Sequence, residues 1–495
     1  MSKLQASEEL ATVGVPAASS DIPTRRRTRI VATIGPASDA DDVLRSMANA
    51  GMDVARIPFA HGSLDDSLQR IERVRRVLPD IAILADLPGP KIRTTPFPTK
   101  GSRFESGDEV LLTNETRTPS STRRSVGIAL DGGELQLDPG QIVHLGDGGI
   151  SFEVVDHRDS RAHVVVRAGG LARGRPGVTL PSTVTFSTPT PSDLRAAQAL
   201  RSADVDLVAV SFVRLATDVA LLRSELAPSP ALLVAKIETT EAMANLGEIL
   251  EASDAVMVAR GDLGVRVPLE QVPRFQKEII REGVRFARPV ITATQMLESM
   301  TSSLSPTRAE ATDVANAVLD GTSAVMLSGE TAIGAHPVES VATIARIASY
   351  TESYFDFRGW GATLDPQQIA GSNTSAERIG AAMTGAAWRA ALEEEVAAIL
   401  VWTKSGATAR ALSRFRPPMP IIAATSNLVT ARQLAVSWGV IPMLLPEVRS
   451  FDEAIRVGTE AAVAAGHVQS GELLAVLLGP SGEGSSTDSL RLLVA

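Results

Sequence analysis

Two short strings carry residue types able to do chemistry on a charged small molecule. Lys236-Ile-Glu238 closes the apolar run Ala231-Leu-Leu-Val-Ala235. Residues two apart in a strand share a face, so the ammonium and the carboxylate point the same way. A Lys-x-Glu pair is commonly a solvated strand edge, but a run this apolar reads as a strand buried on both faces, which takes both charges inside. Arg260-Gly-Asp262 ends a second apolar run. Glu238 and Asp262 offer two carboxylates and little else, the ligand set of Mg2+ or Mn2+, which keep waters and bind substrate oxygens. No Cys or His cluster suggests zinc. Lys236 beside such a cation would neutralise charge on a phosphoryl group in transfer, a role of positioning and electrostatics. Asp262-Leu-Gly264 reads as a tight turn whose backbone N–H groups can hold a substrate carboxylate. His61, taken alone, reads as packing.

These residues need a frame that brings them to one place. From Thr28 onward short apolar runs alternate with amphipathic segments, the pattern of βα units around a parallel sheet. The runs Ile30–Ile34, Val54–Phe59, Ile81–Ala85, Leu207–Phe212, Leu232–Ile237, Ala255–Ala259, Val290–Thr294 and Ala324–Leu327 predict eight strands. Helical spacing covers Asp41–Ala50, Ser192–Ala203, Thr217–Leu226, Thr240–Glu251, Leu269–Phe286, Thr307–Leu319 and Pro337–Tyr354. Eight such units predict a closed (β/α)8 barrel, an α/β fold that builds its sites at the C-terminal ends of the strands. The polar residues at those ends are Arg56, Asp86, Lys236 with Glu238, Arg260-Gly261-Asp262, Thr294 and Ser328.

About ninety residues interrupt the third unit, far beyond an ordinary loop. The insertion, 97–181, carries short alternating runs (Glu109–Leu112, Gln141–His144, Ile150–Val155, Ala162–Val166) and reads as a small β-barrel lid. Past the barrel, assigned to 28–96 and 182–357, a Gly- and Pro-containing stretch leads to a third unit over 372–495. Its helix from Ala376 and strands Ala398–Thr403, Ile421–Ala424, Val440–Leu445 and Leu473–Leu478 predict an open α/β sheet.

The bulk properties exclude several functions. At 495 residues with 44% hydrophobic and 21% charged residues, the chain can bury several cores. A net charge of −9 leaves no electrostatic footprint for nucleic acid or an anionic membrane. No run of about 18 apolar residues predicts a membrane span. Residues 1–27 read as a disordered tail without an apolar signal core. The absence of cysteine removes disulfides and thiolate chemistry and suits a reducing, cytoplasmic setting.

Taken together, Thr33-Ile-Gly-Pro-Ala-Ser38, Gly89-Pro-Lys-Ile-Arg93, Lys236-Ile-Glu238, Met257-Val-Ala-Arg-Gly-Asp-Leu-Gly264, Ala293-Thr-Gln-Met-Leu-Glu-Ser-Met300, Pro306-Thr-Arg-Ala-Glu310, Asp313-Val-Ala-Asn-Ala-Val-Leu-Asp-Gly321 and Leu327-Ser-Gly-Glu-Thr331 stand in the order of the pyruvate kinase family, which the chain resembles from Thr28 on. The resemblance implies a barrel domain, a lid and an effector domain, phosphoenolpyruvate and ADP as substrates, pyruvate and ATP as products, Mg2+ or Mn2+ as cofactor, a phosphorylated allosteric effector, and a homotetramer. It implies that Arg56 contacts phosphate, Lys236 stabilises the transferring phosphoryl, and Glu238 and Asp262 hold the metal. Gly261, Asp262 and Thr294 would meet the substrate, Ser328 would lie in a proton relay, and Arg93, His61 and Arg175 would face the nucleotide.

The departures are specific. The family's Arg-x-Asn-Phe-Ser-His stretch reads Arg56-Ile-Pro-Phe-Ala-His61, which loses two oxygen side chains that bind K+. Lys91 stands where K+-dependent members carry Glu, so a tethered ammonium is expected to replace the ion and K+ is not expected to be required. A pair of lid lysines is reduced to Arg175-Pro176. In the third unit Thr403-Lys404-Ser405-Gly406, with Thr408 just beyond, follows a strand and opens a helix, a place for an effector phosphate. The loop Gly479–Gly484 lacks Trp and Arg, which disfavours fructose 1,6-bisphosphate. Two rival readings are a degenerate homologue that senses a metabolite through the third unit and a pyruvate-enolate aldolase. The retained phosphoryl residues argue against the first, and the long lid argues against the second.

Overall fold

The computed structural model describes residues 26–90, 92–115, 117–130, 135–146, 149–158, 161–180, 187–364, 375–479 and 487–495. Eight parallel strands, β1 (Arg29–Thr33), β2 (Val54–Pro58), β3 (Ala82–Asp86), β4 (Leu207–Val210), β5 (Leu232–Ile237), β6 (Ala255–Ala259), β7 (Val290–Ala293) and β8 (Ala324–Leu327), close into a barrel in the order β1-β8-β7-β6-β5-β4-β3-β2. Because these strands are buried on both faces, their sequences are almost unbroken apolar runs. One set of side chains, including Val31, Val54, Leu84, Ala209, Met257 and Met326, fills the barrel interior. The other set, including Ile30, Ile57, Ile83, Leu233 and Val325, packs against the outer helices. Three of those helices start on reciprocal caps: Ser63 with Asp66, Thr190 with Asp193, and Thr307 with Glu310.

The expected fold class holds, and four local expectations are corrected. Asp262-Leu-Gly264 is no tight turn but the middle of the helix Arg260–Arg266, which leaves β6 directly. Neither of its glycines occupies the left-handed region, so nothing there forces a reversal. The expected Thr240–Glu251 helix divides at Asn245 into Thr240–Ala244 and Leu246–Ala252. Leu269–Gln271 forms a separate 3-10 turn ahead of the helix Val272–Arg285. The third unit has a fifth strand that the apolar runs did not reveal. Its sheet comprises β9 (Ala398–Trp402), β10 (Ile421–Thr425), β11 (Val440–Leu444), β12 (Leu473–Leu478) and β13 (Ser489–Val494), ordered β11-β10-β9-β12-β13. Only β13 runs antiparallel to its neighbour.

The insertion is a nearly closed barrel of its own. Its sheet runs 178–179, 142–145, 150–158, 161–168, 109–114, 125–129 and 93–94, and a bridge between Arg93 and Gly177 brings the two edges together. Phe104 and Phe152 meet edge to face in its core at 5.3 Å between centroids.

The third unit plugs the N-terminal end of the main barrel. The 3-10 turn Leu434–Val436 seats Val436 among the barrel-interior residues. Around it, Arg432 pairs with Asp204 at 3.0 Å, Gln433 donates to the Pro230 carbonyl at 2.8 Å, and Arg29 donates to the Ser437 carbonyl at 3.1 Å. No described helix is long and apolar enough to cross a membrane.

Candidate active site

At the opposite end of the barrel, the strand termini converge on Lys236. Its Nζ donates to Ser211 Oγ at 2.6 Å and lies 3.1 Å from Glu238 Oε1 and 3.3 Å from Asp86 Oδ1. Ser211, just beyond β4, hands the contact on by donating to the Leu87 carbonyl at 2.6 Å. Arg56, from β2, donates through Nε to Asp86 Oδ2 at 2.7 Å and through Nη1 to Thr33 Oγ1 at 2.9 Å. Thr33 in turn donates to the Leu327 carbonyl at 2.8 Å. Strands β1, β2, β3, β5 and β8 and the end of β4 are thereby tied together by one polar network. Low dielectric makes such a network strong when its members are satisfied.

The charges in this network are coupled. Burial alone would push the Lys236 ammonium toward neutrality, but Asp86, Glu238 and Asp262 outweigh it and hold its pKa above the ordinary value, so it is a cation at any working pH. Burial likewise raises the Asp86 carboxyl, and Lys236 and Arg56 more than reverse that, leaving it ionised below the usual range. Glu238 is fully buried, and that burial, with Asp262 adding to it against the pull of Lys236, pushes its carboxyl upward. Its Oε2 accepts the Phe212 N–H at 2.7 Å, while Oε1 faces the Lys236 ammonium at 3.1 Å. A buried carboxylate oxygen with a lone pair to spend, in reach of the Asp262 charge, fits a hard divalent cation. Among the described residues no cluster of three or more His, Asp or Glu forms a protein-only cage.

The β6 and β7 ends form the adjacent wall. Thr294 Oγ1 accepts the Gly261 N–H at 2.9 Å and donates to the Ala293 carbonyl at 2.7 Å. Thr294 and Gln295 both occupy the left-handed region, with φ of 66° and 54°. Such conformations cost non-glycine residues about 1–3 kcal/mol each and persist only where the surroundings impose them. At the end of β8 the Ser328 hydroxyl is buried without a hydrogen bond. Its backbone N–H donates to Glu330 Oε2 at 2.7 Å, and Glu330 Oε1 accepts the Leu297 N–H at 3.0 Å. A single buried carboxylate therefore joins the loops that bear Thr294 and Ser328.

The residues expected to face a nucleotide are less tightly gathered. Arg93 donates to the Arg175 carbonyl at 3.2 Å and Arg175 to the Thr94 carbonyl at 3.3 Å, so the two segments brace each other at the base of the insertion. Burial, and then Arg175, lowers the pKa of Arg93. His61 is exposed on the loop after β2. Lys91 lies outside the described residues. In the third unit Gly406 is left-handed at φ 78° and donates to Thr403 Oγ1 at 2.9 Å, Thr430 donates to the Lys404 carbonyl at 2.7 Å, and Lys404 and Ser405 are exposed. The hydroxyls of Thr408 and Thr487 are 2.7 Å apart. The helix Ala407–Ser413 follows. Of the loop after β12, residues from Pro480 to 486 lie outside the described set.

Sequence reasoning overlooked Thr33, Ser211, Asp313 and Glu330. The first two carry the same signal as the residues that were found, a polar side chain at the C-terminal end of a barrel strand. Thr33 ends β1 and Ser211 directly follows β4.

This combination defines a class: a (β/α)8-barrel enzyme with an inserted second barrel, whose mouth gathers a lysine, an arginine and the carboxylates of Asp86, Glu238 and Asp262. Comparison with known proteins makes the assignment specific. Residues 25–341 match the pyruvate kinase barrel-domain model and residues 381–493 match the pyruvate kinase alpha/beta-domain model. The pyruvate kinase of Geobacillus stearothermophilus is 40% identical over 482 residues, covering 94% of this chain and 80% of that protein. That of Staphylococcus aureus strain USA300 is 38% identical over 479 residues with the same coverage. The chain belongs to the pyruvate kinase family, and it is an enzyme.

Proposed function

We propose that the enzyme transfers the phosphoryl group of phosphoenolpyruvate to ADP, yielding pyruvate and ATP in glycolysis. The observation that carries this reading is the Lys236 ammonium, held by Ser211, Asp86 and Glu238 at the barrel mouth with Arg56 across from it. In the first step the bond from the enol oxygen to phosphorus breaks as an ADP phosphate oxygen bonds to phosphorus. Lys236 lowers the energy of the charge spread over the phosphoryl oxygens, and Arg56 holds the phosphate in line. Gly261 and Asp262, in the first turn of the helix that leaves β6, are the residues taken to meet the substrate. In the second step the enolate carbon takes a proton, with Thr294 and Ser328 as the hydroxyl-bearing residues assigned to deliver it. Family membership supports a divalent cation, and Glu238 and Asp262 are the residues that would hold Mg2+ or Mn2+. When bound, the cation supplies charge neutralisation and orientation of phosphate oxygens.

Finer features belong to the same reading. Arg93, Arg175 and His61 serve the nucleotide, and Lys91, with Pro58 and Ala60 in place of oxygen side chains, makes K+ dispensable. The loop Thr403–Gly406 with Thr408 takes a phosphorylated effector. The working enzyme is a cytoplasmic homotetramer whose barrel spans 28–96 and 182–357, with a lid over 97–181 and an effector domain over 372–495. A coupled assay of pyruvate formation from phosphoenolpyruvate and ADP with Mg2+ tests the core of this. Turnover should be present in the wild type and lost in Lys236→Ala. Absence of turnover in the folded wild type, with or without sugar phosphates or AMP, would overturn the proposal.

A further inference from the structure

We infer that Arg260 is a positioning residue for the protonation step: it acts through Thr294, whose backbone it holds in the left-handed conformation. The inference rests on the reading of Thr294 given above. Thr294 and Gln295 are two successive side-chain-bearing residues at positive φ, an arrangement L-residues leave unless it is imposed. The Arg260 guanidinium imposes it. Nε donates to the Ala293 carbonyl at 3.2 Å and Nη2 to the Thr294 carbonyl at 2.5 Å. Those are the carbonyls of the two peptide planes that flank the Thr294 Cα, so one rigid plane sets both of its torsions. Nη1 is anchored on Asp313 at 2.6 and 2.8 Å and on Gln276 at 3.3 Å, which brings the orientation in from two outer helices.

On the other side of the same residue, the Gly261 N–H donates to the Thr294 hydroxyl at 2.9 Å. Residues 260 and 261 thus fix the backbone and the hydroxyl of Thr294 together. The Arg260 side chain is 8% exposed, and its N–H groups are taken up by Ala293, Thr294, Met296, Gln276 and Asp313, so its role is to position rather than to bind. A lysine cannot replace it, because a compact ammonium lacks the planar fork that reaches two carbonyls and a carboxylate at once.

The test compares Arg260→Lys, Thr294→Val and the double variant, using thermal unfolding, the KM for phosphoenolpyruvate, kcat, and exchange of pyruvate methyl protons with deuterated water in the presence of ATP and Mg2+. That exchange runs the protonation step in reverse. Arg260→Lys is expected to slow exchange and kcat by about tenfold or more while KM stays within about twofold. In the Thr294→Val background the same change should cost less than about twofold, because its target is gone. Asp313→Asn, which keeps the guanidinium and weakens its anchor, should move exchange in the same direction by less and serves where Arg260→Lys does not fold. Loss of thermal stability with exchange and kcat unchanged overturns the inference, as does a double variant whose two losses multiply. A Thr294→Val enzyme with unaltered exchange refutes the role of Thr294 itself, and the inference falls with it.

Discussion

Ser211→Ala isolates the aim of Lys236 from its charge. Ser211 Oγ accepts from Lys236 Nζ at 2.6 Å and donates to the Leu87 carbonyl at 2.6 Å, and the residue is 2% exposed. Alanine deletes both bonds and leaves the ion pairs of Lys236 with Asp86 and Glu238 in place. A hydrogen bond to a charged group contributes about 1.5–3 kcal/mol. At about 1.36 kcal/mol per factor of ten, its loss in the transition state lowers kcat/KM roughly 10- to 150-fold. The ammonium still attracts the substrate phosphate, so the fall belongs in kcat and the KM for phosphoenolpyruvate should move little. The coupled pyruvate assay measures both, with thermal unfolding as the check on folding. The unpaired Leu87 carbonyl is expected to reduce stability by about 1–3 kcal/mol. A folded Ser211→Ala enzyme with kcat near the wild-type value, or one with KM raised and kcat intact, would refute the claim that Ser211 aims Lys236.

Three further outcomes are expected. Asp53 is half-buried, and although burial alone would raise its carboxyl, Arg26, Arg29 and the Ile30 N–H hold it below its ordinary 3.8. A carboxyl lowered by folding adds stability above its unfolded pKa that drains away as pH falls through the folded one. Asp53→Asn should therefore cost about 3–5 kcal/mol at pH 7 and flatten the stability curve below about pH 4, measured by denaturant titration across pH. Gly321 has φ of 90°, and a Cβ there would sit 2.1 Å from the Trp360 ring, so Gly321→Ala should lower the thermal midpoint; an unchanged midpoint would mean the Trp360 ring yields freely. Replacing Na+ by K+ should leave kcat within about twofold, since Pro58 and Ala60 offer no side-chain oxygen to the ion; a many-fold activation would refute this.

What the sequence determined by itself was whatever depends on local period and composition. Apolar runs of strand length, such as Leu232–Ile237 and Ala255–Ala259, coincide with the observed strands to the residue, because a strand buried on both faces is apolar along almost all of its length. The polar residues just past those runs marked most of the mouth for the same reason. Tertiary structure alone decided the partners. Ser211 reaches Lys236 across 25 residues, Arg260 reaches Asp313 across 53, and Thr331 reaches the Thr33 carbonyl across 298. No local pattern encodes a distance that exists only once the barrel has closed. The helix at Arg260–Arg266 and the edge strand Ser489–Val494 escaped a reading by period, since seven residues with two glycines carry little helical signal and an exposed edge strand needs no apolar run. The left-handed Thr294 is the clearest case. Threonine disfavours that conformation by itself, and it is adopted because a guanidinium from the first residue of the helix after β6, fixed by two helices outside the barrel, holds the peptide planes on either side.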